Sequence, residues 1–223
     1  MFDWSPIFLS LELALCTTLI LLLIAIPLGY WLSKSNSLFK PVVEAIVSLP
    51  LILPPTVIGF YLLISFSPES AIGSFFNNTL GLQLAFSFPG LVIGSIIYSL
   101  PFMVHPVANG FSSLPPSLAE ASFTMGKSKF QTLRKIELPN IKNSILTGIV
   151  LTFAHTIGEF GVVLMIGGNI PDETRVLSID IYSKVESLDY QTAHQYSGML
   201  LGIMFLILLL VYFRRQGNKN VLL

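Results

Sequence analysis

Two ionisable side chains in an otherwise apolar stretch, His155 and Glu159, are the first candidates for chemistry. Residues four apart lie on one face of a helix, so the imidazole and the carboxyl are expected to be neighbours. The spacing admits a metal site, a proton relay or a structural pair. A metal site needs further ligands, which the sequence does not bring close to these two residues. Carboxylates inside apolar segments are usually paired, which favours a structural pair or a contact to Arg175.

Three prolines within six residues interrupt the second long apolar segment, which reads Leu-Pro-Leu-Ile-Leu-Pro-Pro-Thr over residues 49–56. Proline lacks a backbone N–H and clashes with the preceding helical turn, so this cluster predicts a broken helix. Carbonyls freed by such a break must face protein or water, and broken membrane helices often line transport routes. The candidate translocation pathway therefore comprises Pro50, Pro54, Pro55, Thr56 and Glu159.

Composition indicates which elements position these residues. The chain has 223 residues, of which 53% are hydrophobic and 11% charged, whereas soluble domains carry about 25% charged residues. About 20 apolar residues cross a bilayer as a helix. Five segments qualify, at residues 10–32, 45–66, 87–109, 143–166 and 195–213. The predicted fold class is all-α integral membrane, one transmembrane domain over residues 1–223, and the net charge of zero predicts no nucleic-acid partner.

The distribution of Lys and Arg predicts the orientation of the spans, because cytoplasmic loops carry an excess of both. With the N-terminus outside and the C-terminus in the cytoplasm, ten of the twelve basic residues fall inside. The ten are Lys34, Lys40, Lys127, Lys129, Arg134, Lys135, Lys142, Arg214, Arg215 and Lys219, and the two outside are Arg175 and Lys184. In the external loop at 167–194, Leu177, Ile181 and Val185 recur at helical spacing. This helix is predicted either to dock an external partner or to cap the bundle.

The polar segment at residues 117–139, here called the knuckle, encodes more structure than a connection between spans requires. Ser117 and Glu120 match the capping-box pattern at the start of a helix. Gly126 stands where a left-handed residue ends that helix. A first short helix is therefore predicted between Ser117 and Gly126.

A second short helix is predicted in the knuckle after Gly126. Ser128 and Gln131 make another capping-box pattern, and Pro139 is predicted to open the next span. The charge distribution assigns the knuckle to the cytoplasm. A preformed pair of helices on that surface predicts docking of a soluble partner.

The knuckle resembles the EAA loop of ATP-binding-cassette importer permeases. The pattern of that loop is E-A-A, three residues, G, nine residues, then I-x-L-P. The matching residues here are Glu120, Ala121, Gly126, Ile136, Leu138 and Pro139, and Ser122 replaces the second alanine. In that family the loop inserts into a cleft of the ATPase subunit and couples nucleotide-driven closure to movement of the spans. The resemblance implies the same coupling role for the matching residues.

Other stretches are similar to the permeases of molybdate importers and, less closely, of sulfate importers. They are residues 49–55, 158–161 and 167–175. The resemblance implies a type I importer fold in a bacterial or archaeal inner membrane, surrounded by lipid. It also implies a second copy of the chain, two copies of an ABC ATPase and an extracytoplasmic molybdate-binding protein. ATP and Mg²⁺ are expected on the ATPase, with no cofactor on this chain, which is expected to be a permease and not an enzyme.

Alternatives to molybdate import stay open at this point. Molybdate and tungstate are near-isosteric dianions that the sequence does not separate, and sulfate or thiosulfate import is a further alternative. An ion-coupled secondary transporter or an intramembrane enzyme using His155 and Glu159 is more distant, because it leaves the knuckle unexplained. An ionised Glu159 lining the path would repel an oxyanion, so this side chain is predicted to be turned aside, paired or neutral.

Overall fold

Helices make up most of the chain in the computed structural model, which describes residues 3–217. The helices are α1 (Ser5–Lys34), α2 (Lys40–Ile52), α3 (Pro55–Phe66), α4 (Ala71–Leu80), α5 (Phe88–Ser112), α6 (Pro116–Thr124), α7 (Lys129–Thr132), α8 (Leu138–Asn140), α9 (Lys142–Gly158), α10 (Gly161–Gly167), α11 (Leu177–Glu186) and α12 (Tyr190–Gly217). A π-helical turn, Leu133–Glu137, joins α7 to α8. Lys219 and the side chains of Arg214 and Arg215, counted above for orientation, lie outside the described part.

Three of the five predicted spans are single helices. Ser5–Lys34, Phe88–Ser112 and the Tyr190–Leu209 part of α12 are each long and apolar enough to cross a membrane. A helix of 30 residues such as α1 is about 45 Å long. Only 11% of the most apolar stretch of α12 is buried. The helix α12 therefore offers most of that surface to lipid or to another chain.

The second predicted span is a bent pair, α2 and α3, whose axes differ by 112°. The break predicted from the prolines is confirmed, but the bend is too sharp for a merely kinked crossing. Leu53 and Pro54 each precede a proline, which disfavours helical backbone, and both are extended with ψ of 139°. Pro50, by contrast, is accommodated inside α2.

The fourth predicted span, 143–166, is also a bent pair, in which α9 and α10 differ by 57°. The prediction of one continuous helix here is wrong. Glu159 leaves the helix with an extended backbone, φ −68° and ψ 133°. His155 and Glu159 consequently do not share a helical face.

Two apolar clusters along α1 and α5 hold the bundle together. One lies around α3 and α10 and includes Leu91 and Val162, both fully buried. The other includes Leu21, Val107 and Phe111, also fully buried. Since α1 and α5 contribute to both clusters, they form the centre against which the bent pairs pack.

The two ends of α1 contact different parts of the chain. Near its first residue, Ser10 Oγ accepts a hydrogen bond of 2.7 Å from the N–H of Leu177, where α11 begins. At its last residue, Lys34 Nζ lies 3.2 Å from Glu137 Oε1. The loop at 167–194 and the knuckle therefore lie at opposite ends of the bundle.

The helix predicted within residues 167–194 is present as α11. Leu177 is buried, Ile181 is half-buried and Val185 is exposed, so the buried face does not run the whole length of the predicted stripe. The helix packs against α12, α1 and α9. This placement agrees with a helix that caps the bundle, while docking of an external partner stays a prediction.

Candidate functional site

The first helix of the knuckle starts two residues earlier than its capping pattern predicts, since that pattern makes Ser117 the N-cap. Pro115 is the N-cap and Pro116 the first helical residue, with no side-chain cap. The capping box predicted at Ser117 and Glu120 is therefore wrong, because the fixed φ of proline suits the first helical position and moves Ser117 inside the helix. The Glu120 side chain is exposed, and it forms no hydrogen bond or ion pair with another described residue.

Gly126 ends this helix as predicted. Its φ is +75°, in the left-handed region that glycine adopts without strain. The N–H of Gly126 donates to Phe123 O at 2.9 Å, and the N–H of Lys127 donates to Ser122 O at 3.1 Å. These two bonds form a Schellman motif, which satisfies carbonyls at the helix end.

The second helix of the knuckle has the predicted capping box. The N–H of Gln131 donates to Ser128 Oγ at 3.3 Å, and the N–H of Ser128 donates to Gln131 Oε1 at 3.0 Å. Pro139, however, lies in α8, and the span begins three residues later at Lys142. The ring of Pro139 would clash with the carbonyl four residues earlier in an α-helix, and the π-helical turn occupies that position.

A hydroxyl pair that the sequence does not reveal joins the two knuckle helices. Ser122 Oγ and Thr132 Oγ1 are 2.8 Å apart, and both side chains are buried. Ser122 is the residue that departs from the E-A-A pattern. The serine keeps the small volume and adds a hydrogen bond between α6 and α7, so it fixes their relative position.

The outer surface of the knuckle carries large apolar side chains. Phe123, Met125 and Phe130 are 46%, 64% and 69% exposed. Of the six residues matching the loop pattern, Ile136 and Leu138 are half-buried, and the exposed ones are Glu120, Ala121, Gly126 and Pro139. Apolar surface gathered in this way marks a protein–protein contact, so the knuckle is a candidate docking surface.

A cavity of about 560 Å³ opens where the two bent pairs meet. It brings together Pro55, Thr56 and Glu159 of the predicted pathway, together with Tyr98 and His155. Pro50 is buried in α2 and Pro54 lies at the break before α3, so neither lines this cavity. The predicted pathway residues are therefore only partly assembled in one place.

Glu159 lies at the break and contacts two other helices. Its side chain is 3% exposed, and Oε2 accepts a hydrogen bond of 3.1 Å from Ser95 Oγ of α5. The other oxygen, Oε1, has no hydrogen-bond partner among the described residues. The backbone oxygen of Glu159 accepts from Ser178 Oγ of α11. The carboxyl is thus turned towards α5 although the residue lines the cavity, and its role in the pathway stays a prediction.

The predicted partners of Glu159 are engaged elsewhere. His155 Nδ1 is 3.0 Å from Ser99 Oγ, and its ring stacks on Phe102 with a centroid distance of 3.9 Å. Arg175 Nε donates to Asn169 Oδ1 at 2.7 Å. The structural pair with His155 and the contact to Arg175 are therefore wrong predictions. Within residues 3–217 no group of three or more His, Cys, Asp or Glu side chains is placed to hold a metal ion.

A larger cavity, of about 1150 Å³, lies between α2, α5 and α9 and was not predicted. Its lining includes His105, Asn109, Lys142 and Asn143, and no carboxylate. His105 Nε2 is 3.1 Å from Ser48 Oγ. Its lining therefore offers hydrogen-bond donors and one cation.

Comparison with known proteins agrees with this geometry. The family described as "Binding-protein-dependent transport system inner membrane component" matches residues 25–217. The chain is 42% identical to the "Molybdenum transport system permease protein ModB" of Azotobacter vinelandii, over 98% of this chain and 97% of that protein. It is 31% identical to the "Putative molybdenum transport system permease protein YvgM" of Bacillus subtilis (strain 168), over 93% and 92%.

A solved structure shares the fold. The MetNI methionine ABC transporter, in an inward-facing conformation, contains a chain that matches with a TM-score of 0.72 and 16% identity. The match covers 97% of this chain and 95% of that one. The resemblance to type I importer permeases is confirmed, so this chain is a multi-pass transport subunit and not an enzyme. It belongs to the family of binding-protein-dependent transport system inner membrane components.

Proposed function

We propose that this chain is the transmembrane subunit of an ATP-driven, binding-protein-dependent importer that moves molybdate into the cell. The assignment of molybdate as the substrate rests on the 42% identity, along nearly the whole chain, to a permease named for molybdenum transport. The larger cavity supports an anionic cargo, because its lining has Lys142 and no carboxylate.

The proposed complex contains two copies of this chain, two ABC ATPase subunits and an extracytoplasmic molybdate-binding protein. The knuckle is proposed to face the cytoplasm and to receive the ATPase, since the excess of Lys and Arg lies at its end of α1. The loop at 167–194, at the other end, is proposed to face the binding protein. Two copies related by a twofold axis would enclose the pathway.

The smaller cavity is proposed to be part of that pathway. A bulky side chain at Thr56 is therefore expected to slow uptake. Its side chain is exposed and lines the cavity, so Thr56→Trp adds bulk there without disturbing the core. The initial rate of uptake by the reconstituted transporter should fall several-fold, with co-purification of the ATPase unchanged. The matched control is Val57→Trp, whose site is 37% exposed and does not line this cavity. Equal rates for both variants would argue against this part of the pathway.

Transport by the complete complex in proteoliposomes tests the proposed function. Labelled molybdate should enter only when both ATP and the binding protein are present. An excess of unlabelled molybdate should abolish uptake of the labelled molybdate. Tungstate is expected to compete, because the two dianions have nearly the same shape. Uptake driven by an ion gradient without ATP would identify a secondary transporter instead, and uptake of sulfate in preference to molybdate would identify a sulfate importer.

A further inference from the structure

One ion pair joins the knuckle to the first helix of the bundle. Lys34 is the last residue of α1, and its Nζ lies 3.2 Å from Oε1 of Glu137. Glu137 ends the π-helical turn and occupies the open position of the I-x-L-P pattern. Its side chain is 2% exposed and that of Lys34 is 38% exposed. The knuckle thus contains a buried acid whose cation belongs to another helix.

The surroundings of Glu137 indicate a role beyond stability. Its Oε2 has no hydrogen-bond partner in the described part of the chain, and burying an incompletely bonded carboxylate is unfavourable even when a cation is near. The pair Lys40–Glu44 differs: it lies within α2, with an N–O distance of 3.9 Å and side chains 32% and 48% exposed. Exposed pairs contribute little to stability, so this second pair serves as a reference for the first.

Backbone hydrogen bonds connect the end of the knuckle to α9. The N–H of Ile141 donates to Glu137 O at 3.1 Å, and the N–H of Ile145 donates to Ile141 O at 3.0 Å. Helical hydrogen bonding therefore continues from the π-helical turn into the span. A displacement of the knuckle acts on α9 along the chain and on α1 through the contact with Lys34.

The other end of α1 contacts the loop at 167–194. Ser10 Oγ accepts from the N–H of Leu177 at 2.7 Å, and both residues are buried. Between Ser10 and Lys34 the chain is one helix. The helix α1, with Pro27 inside it, is therefore a continuous helical connection between the knuckle and the first turn of α11.

We infer that Lys34 and Glu137 are positioning residues that couple ATP hydrolysis to substrate movement. The ion pair makes α1 follow the knuckle, and α1 carries the displacement to the loop at the other end of the bundle. The inference rests on the proposed function, because it requires that an ATPase moves the knuckle. The ion pair thus provides a second route by which displacement of the knuckle reaches the bundle, besides the backbone of α9.

The test measures the ratio of molybdate taken up to ATP hydrolysed by the complete transporter in proteoliposomes. Lys34→Gln and Glu137→Gln should each lower this ratio by about fivefold or more, the scale of coupling between sites, while the ATPase still co-purifies. Lys34→Arg keeps the cation and should keep the ratio. Lys40→Gln removes the exposed pair at the same end of the bundle and should also leave the ratio unchanged.

An unchanged ratio in assembled Glu137→Gln overturns the inference, as does an equal fall in the Lys40→Gln control. Lys34→Gln leaves a buried carboxylate without its cation, so it is the variant most prone to fail in assembly. Lys34→Met combined with Glu137→Leu leaves no buried charge and should assemble with a low ratio; a normal ratio there also overturns the inference. A wild-type complex that takes up no molybdate contradicts the proposed function instead, so the two failures are distinguishable.

Discussion

Replacing Gly126 with valine is expected to lower transport strongly while leaving the chain in the membrane. Gly126 has φ +75°, and an added Cβ would meet no atom of this chain within 4 Å, so within the chain the substitution acts through the backbone. The left-handed conformation costs an L-residue roughly 1–2 kcal/mol, and a β-branched residue resists it further. The turn that aligns α6 with α7 would open. Uptake should fall by about tenfold or more, since each 1.36 kcal/mol corresponds to a factor of about ten.

A matched position separates this effect from general strain. Gly81 ends α4 with φ +63°, and there too an added Cβ would meet no atom within 4 Å. Gly81→Val therefore introduces the same backbone strain at a site outside the knuckle. This variant should retain both uptake and ATPase binding. Gly126→Asn should retain most activity, because asparagine tolerates the left-handed region. Normal uptake by Gly126→Val, or an equal loss in both valine variants, would contradict a specific role for this turn.

The sequence predicts most features that depend on local chemistry, although the capping box at Ser117 and Glu120 is absent. The break before Pro55 follows from consecutive proline rings, and the left-handed turn at Gly126 follows from the freedom of glycine. The capping box of Ser128 and Gln131 is likewise confirmed. Each of these features needs only a few neighbouring residues, so no knowledge of the rest of the fold is required.

Tertiary contacts are where prediction from the sequence fails. Glu159 is four residues from His155, but the extended backbone at Glu159 directs its carboxyl to Ser95. Asp180 lies in a polar connection in the sequence, yet its side chain is 3% exposed, and this burial raises the pKa of its carboxyl. Lys34, the partner of Glu137, is about a hundred positions away along the chain. Such pairings depend on how helices pack, which spacing within one segment does not encode.

The candidate site was therefore predicted in part. The knuckle carries its own signals, and its six matching residues were identified from the loop pattern alone. The ion pair of Lys34 with Glu137 and the hydroxyl pair of Ser122 with Thr132 left no such signal. The ion pair fixes the knuckle relative to α1, and the hydroxyl pair fixes its two helices relative to each other. The candidate docking segment was therefore predictable from the sequence, and the contacts that position it were not.

Introducing a charge at Phe130 is expected to separate the permease from its ATPase. The side chain is 69% exposed on the knuckle, so Phe130→Glu removes no core contact and should not affect folding. An aromatic residue at the centre of an interface commonly contributes about 2 kcal/mol or more, which corresponds to roughly 30-fold weaker binding. Co-purification of the ATPase and uptake should therefore both be largely lost.

The control for Phe130→Glu lies at the same end of the bundle. Leu38, four residues after the end of α1, is 94% exposed, and Leu38→Glu makes the same apolar-to-acidic change outside the knuckle. Binding of the ATPase should be measured for both variants in detergent, with the amount of permease in the membrane quantified in parallel. Because both sites are exposed, weaker ATPase binding by Phe130→Glu than by Leu38→Glu would indicate that the ATPase docks on the knuckle. Equal binding would mean that the ATPase contacts the permease away from Phe130.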